Sequence, residues 1–159
     1  MAPRVAVVGA GSWGTTVAAM MAGRSSTVLW ARRPALARAI NATGRNPDYL
    51  GGPPLPAALV ATASMDEALA GAEVVLMAVP SHGFRAVLGL ARPHLAPGVP
   101  VISLAKGVEE GSLQRMTEII EEVAPGRPVG VLTGPNLAGE IAAGQPAASV
   151  IAVSDEGVA

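Results

Sequence analysis

The chain has 159 residues, a length that fits one domain with its own buried core. Half of it is hydrophobic but only 3% is aromatic, which excludes a disordered chain and leaves a core of Val, Leu, Ile and Ala, as in a buried parallel sheet. A net charge of −1, scattered arginines and no cysteine exclude a general attraction to nucleic acid or anionic lipid, and with it disulfides, thiolate metal sites and Cys nucleophiles.

The opening MAPRVAVVGAG has one Arg and an apolar run soon interrupted by glycines, unlike a signal peptide, and no later segment reaches membrane-spanning length. A cytoplasmic protein is therefore expected. Residues 4–8 read as a buried strand running into Gly9-Ala10-Gly11-Ser12-Trp13-Gly14 and an alanine-rich helix over 12–22. In this strand-turn-helix setting each glycine has a reason. Gly9 permits the tight turn, Gly11 lets the backbone approach a pyrophosphate, and Gly14 lets the helix pack on the strand, while the helix N-terminus offers free N–H groups and the positive end of its dipole. A ligand-free glycine turn is the plain alternative, which the context disfavours. Ser12 also reads as a helix cap, and Trp13 divides evenly between core filler and cofactor contact.

A second strand over 27–30 ends in Trp30-Ala31-Arg32-Arg33. NAD-selective sites usually carry Asp or Glu there to bind the adenine ribose; this sequence has none, and two arginines suit a 2′-phosphate instead. NADP(H) is expected to bind at least as well as NAD(H), the alternative being a solvated Arg pair ahead of the helix over 35–42. Residues 46–56 (NPDYLGGPPLP), with four prolines and two glycines, read as an extended surface loop.

A strand over 59–62, a helix over 65–70 and a strand over 73–79 follow, then Pro80-Ser81-His82 and a helix over 82–90. His82 can polarise a carbonyl, but a histidine that starts a helix is more often structural; His94, near prolines, carries no role. The strand over 99–104 ends in Ala105-Lys106-Gly107. Lys106 is the only lysine, and at a strand end it can reach a carbonyl or phosphate as a compact point charge, unless it is merely solvated. Glu109, Glu110, Glu118, Glu121 and Glu122 read as a solvated helix face, and Leu113, Met116, Ile119, Ile120 and Val123 as the apolar face of a helix over 113–123. A strand over 129–133 leads into Gly134-Pro135-Asn136, a helix over 137–143 and a last strand over 149–153.

Such alternation predicts right-handed βαβ units, hence a doubly wound, mostly parallel Rossmann-type α/β sheet with helices on both faces, in one domain over 1–159. The turns at 79–82, 105–107 and 133–136 all follow strands, where ligands of such sheets bind, and are expected to converge on one site. The sequence holds no Ser-His-Asp arrangement, P-loop or paired carboxylates that can be placed together.

Together, GAGSWGTTVA, LWARR, NPDYLGG, VPSHGFR, ISLAKGVE and LTGPNLAGEIAAGQPAA resemble, in order and spacing, the N-terminal half of bacterial-type NAD(P)-dependent glycerol-3-phosphate dehydrogenases. The resemblance spans nearly the whole chain. It implies a dinucleotide-binding domain followed by a helical domain, and reduction of dihydroxyacetone phosphate to sn-glycerol 3-phosphate, a precursor of glycerophospholipids. It further implies that Ser12, Trp13, Arg32, Arg33, Lys106 and Ala138 contact NAD or NADP, and that Lys106, Gly134 and residue 136 contact substrate. Asn136 stands where family members often have Ser. The resemblance implies a small-molecule substrate, not nucleic acid or membrane, and leaves room for a homodimer of the full-length protein.

The family's proton-transferring lysine lies in a Gly-Ala-Leu-Lys-Asn type segment at the start of the helical domain, and no such segment occurs in these residues. The chain is accordingly expected to be part of a longer enzyme, to bind cofactor and not to turn over alone. Two alternatives stand beside this. Another two-domain reductase, of the ketopantoate or pyrroline-carboxylate type, would share the glycines but has no need of Lys106 and Gly134-Pro135-Asn136. A dinucleotide-sensing module without catalysis has no need of Lys106.

Overall fold

Runs such as RVAVV and STVLW carry almost no polar side chain, so they are stable only where both faces are covered. In the computed structural model, which describes residues 2–158, they occupy the middle of a seven-stranded sheet. Met1 and Ala159, the ends of the expected domain, lie outside the described residues. The strands are β1 (Arg4–Val8), β2 (Ser26–Trp30), β3 (Val60–Thr62), β4 (Val74–Met77), β5 (Val101–Ser103), β6 (Val129–Thr133) and β7 (Val150–Val153). Their order is β3-β2-β1-β4-β5-β6-β7, all parallel except β7, which runs antiparallel to β6.

The helices are α1 (Ser12–Ala22), α2 (Pro34–Thr43), α3 (Met65–Leu69), α4 (Ser81–Ala91), α5 (Met116–Val123) and α6 (Ala138–Ala142). On one face Val5, Val7 and Leu29 pack with Val17 and Ala18 of α1 and Leu36 and Ile40 of α2. On the other, Ala6, Val8 and Met77 meet Phe84 and Leu88 of α4 and Ile119 and Ile120 of α5. Each such aliphatic side chain, buried from water, contributes about 1.5–3 kcal/mol before the entropy of ordering it is subtracted. Among the described residues no helix is long and apolar enough to cross a membrane.

After β3 the chain crosses back over β1 to enter β4, so successive connections diverge on either side of β1 and open a crevice beyond the strand ends. Val8 is level with Trp30 on one side and Met77 on the other, which brings the turns after β1, β2 and β4 to one edge.

Two expectations need correction. Residues 46–56 are more than a surface loop, because Asn46 is only 1% exposed. The helix expected from 113 begins at Met116, since Leu113 sits exposed at φ 58° in the preceding turn.

Candidate functional site

The turn after β1 is held between its neighbours: the Gly9 N–H donates to Trp30 O (3.0 Å) and the Ala78 N–H to Val8 O (2.8 Å). Gly9 has φ +119°, and a Cβ there would lie 2.6 Å from Ala78 O. A Cβ on Gly14 would lie 1.9 Å from Gly9 O, so α1 rests directly on the turn. Gly11 differs from both, since a Cβ there would meet nothing within 4 Å and its φ is −71°.

That open side of Gly11 faces a cavity of about 620 Å3. Gly9, Gly11, Ser12, Trp13, Arg32, Arg33, Lys106, Asn136 and Ala138 line it, so the structure gathers those expected residues; Gly14 lies behind, packing α1, as its proposed role requires. Its size, the glycine cradle at a helix N-terminus and the arginines at the far end fit an extended anionic ligand such as a dinucleotide. Gly134 falls on an adjoining cavity of about 460 Å3, which shares Ala105 and Lys106 with the first. Gly134 has φ +154°, and a Cβ there would lie 2.5 Å from Ala148 O.

Trp13 joins its two readings, packing against the core while lining the cavity. Ser12 does not cap α1, whose N-cap is Gly11; its hydroxyl instead donates to Tyr49 O. Thr16 Oγ1 donates to Ser12 O (2.9 Å) and to Ala138 O (3.2 Å), binding α1 to the start of α6. His82, in the first turn of α4, is exposed on the cavity wall, whereas His94 lies apart, 3.4 Å from Asp66.

At the cavity's other end Lys106 Nζ lies 3.5 Å from Asn136 O. Asn136 is buried; its Oδ1 accepts from Ser149 Oγ (3.1 Å), while Nδ2 is buried without a partner.

Sequence reasoning missed the 46–50 segment. Asn46 Nδ2 donates to Ala10 O (2.9 Å) and Thr15 Oγ1 (2.8 Å), and Oδ1 accepts the N–H groups of Asp48 (3.3 Å) and Tyr49 (3.2 Å). The amide thus fastens the loop to the phosphate turn, putting Tyr49 on the cavity wall. Arg33 stacks on Tyr49, 5.6 Å from its ring centre, and pairs with Asp48. The local signal for this contact was Asn-Pro-Asp, which any turn can carry, although NPDYLGG stood among the segments of the family resemblance.

Of the glutamates expected as a solvated face, Glu110, Glu121 and Glu122 are exposed, while Glu109 needs correction. Arg85 of α4 donates to Glu109 (2.8 and 3.0 Å), Glu122 (2.8 and 3.1 Å) and Gln114 (2.6 Å), and Ser112 Oγ also reaches Glu109 (2.6 Å). Hydrogen bonds from Arg85, then from Ser112, hold Glu109 down to about pKa 2. This knot secures the segment that follows Lys106.

Residues 4–159 match the family described as NAD-dependent glycerol-3-phosphate dehydrogenase N-terminus. The chain is 58% identical over 153 residues to glycerol-3-phosphate dehydrogenase (NAD(P)+) 2 of Sphingopyxis alaskensis, covering 96% of this chain and 46% of that protein. It is 51% identical over 158 residues to glycerol-3-phosphate dehydrogenase (NAD(P)+) 1 of Mycobacterium tuberculosis, covering 99% and 46%. The crystal structure of the Coxiella burnetii glycerol-3-phosphate dehydrogenase superposes with a TM-score of 0.92 at 30% identity, covering 99% of this chain and 48% of that one. The chain therefore spans about half the length of the curated relatives it matches.

Proposed function

Because this chain belongs to the NAD-dependent glycerol-3-phosphate dehydrogenase N-terminal family, we propose that it is the cofactor-binding domain of an enzyme reducing dihydroxyacetone phosphate to sn-glycerol 3-phosphate with NADPH or NADH. The product feeds glycerophospholipid synthesis. The observation that carries the reading is Lys106, held against the Asn136 carbonyl on the cavity wall, at the opposite end from Arg32 and Arg33. A non-catalytic nucleotide sensor has no use for a cation there. The same membership sets aside the ketopantoate and pyrroline-carboxylate reductases.

A nicotinamide cofactor held in this cavity would supply the hydride. This chain's part is to bind and orient. The N–H groups at the start of α1 and the open side of Gly11 take the pyrophosphate, Trp13 and Tyr49 wall the cavity, and Arg32 and Arg33 face the adenosine end. Lys106 stays charged to hold substrate phosphate or a polarised carbonyl oxygen, Asn136 positions it through its backbone carbonyl and lines the cavity for substrate contact, and Gly134 lets the backbone close in beside them. Proton transfer belongs to a lysine of the helical half. The enzyme is cytoplasmic, acts on a small molecule rather than on nucleic acid or membrane, and has room to form a homodimer.

The test is Lys106→Met in the full-length protein. Removing one preorganised charge is expected to lower kcat/KM for dihydroxyacetone phosphate by about 2.7–4 kcal/mol of transition-state stabilisation. A near-normal kcat/KM would sink this site.

A further inference from the structure

We infer that Asp48 of the 46–50 loop sets the balance between the two dinucleotides by occupying Arg33. The inference rests on the cavity taking NAD(P). It starts from a mismatch: the arginines after β2 speak for a 2′-phosphate, yet one of them is already engaged.

Arg33 Nη2 donates to Asp48 Oδ2 and lies 3.4 Å from the Tyr49 hydroxyl. Arg33 and Tyr49 both line the cavity, whereas Arg32 lines it with no carboxylate partner among the described residues. A 2′-phosphate reaching Arg33 would share its guanidinium with Asp48 and come to rest beside a second anion. A dinucleotide without that phosphate meets no such conflict.

The carboxylate is held in place. Asn46, pinned to Ala10 O and Thr15 Oγ1, accepts the backbone N–H of Asp48 itself, so residue 48 has a fixed address on the phosphate turn. The pair is half exposed, 50% at Arg33 and 39% at Asp48, so it is weak enough to be displaced and strong enough to bias the choice. Arg32 then serves as the uncontested phosphate ligand and Arg33 as the contested one.

Asp48→Asn keeps the side chain's shape at an exposed position. Dissociation constants for NADPH and NADH, measured on the 159-residue chain at low ionic strength, should shift in ratio toward NADPH by about fivefold, through tighter NADPH with NADH unchanged. In an Arg33→Gln background the same substitution should move the ratio less than about twofold, because Asp48 acts through Arg33. Weaker NADPH in Asp48→Asn would mean that Asp48 orients Arg33 for the phosphate, and an unchanged ratio would mean that it does neither; each overturns the inference while leaving the site intact. Failure of the unmodified chain to bind either dinucleotide would overturn the inference and the site together.

Discussion

Gly11 shows what a single residue does here. Its backbone suits any amino acid and a Cβ would touch nothing, so the free protein gains nothing from a glycine there; the space is on the cavity side. In Gly11→Ala, a stiffer unfolded chain offsets a poorer helix cap, so stability should stay within about 1 kcal/mol of the parent. Dinucleotide binding should nonetheless weaken by about tenfold or more, because the methyl stands where the diphosphate meets the backbone. Gly14→Ala is the converse, driving a Cβ to 1.9 Å from Gly9 O, and should cost about 1–3 kcal/mol of stability or more. Denaturation midpoints and ligand titrations separate the two; Gly11→Ala binding as tightly as the parent would contradict the role given to that residue. Gly9 and Gly14 were readable in the sequence because each answers a demand of its own backbone, and Gly11 because the strand-turn-helix pattern calls for a glycine facing a ligand. Asn46 was not, since a polar residue among prolines looks like any turn residue until its partner, Ala10 O, is brought from 36 positions away. Asp48 was hidden for the same reason.

Among the elements, the contact of α4 with the loop before α5 depends on charge as well as packing. The 109–114 turn is closed by the Glu109 N–H to Gln114 O (2.8 Å) and clasped by Arg85. Glu109, 18% exposed, has its carboxyl held down to about pKa 2, against about 4.3 for a free glutamate. Its contribution to stability is therefore complete above about pH 4.3 and is lost as pH falls from there toward 2. Arg85→Met should lower the melting temperature at neutral pH and flatten its decline between about pH 4.3 and 2 relative to the parent. Parallel curves for the two proteins across that window would refute the coupling. Strands and helices were largely legible because apolar runs and 3.6-residue spacing state burial directly. The start of α5 was not: Leu113 continues the apolar spacing but sits exposed in the turn that the knot closes. Nor was the reversal of β7, because Val150–Val153 reads the same in either direction of pairing.

At the scale of the molecule, one half of an oxidoreductase is expected to bind without turning over. A polypeptide of these 159 residues should give a saturable NADPH binding curve and no oxidation of NADPH on adding dihydroxyacetone phosphate, since the proposed function assigns the acid and the second wall of the site to a helical half. Measurable turnover would place the proton donor within this chain. The order in which the cavity is made has its own consequence. Its walls run from Gly9 to Ala138, and Thr16 bonds to the Ala138 carbonyl across 122 positions. A ribosome adds about 5–20 residues per second, so the phosphate turn emerges seconds before the residues that complete its cleft. Dinucleotide therefore cannot template the nascent chain. It acts on finished copies by mass action, adding about 2.7 kcal/mol at a hundred times its Kd, and a cell rich in it shields the mature domain from proteolysis while leaving the emerging one to fold unaided.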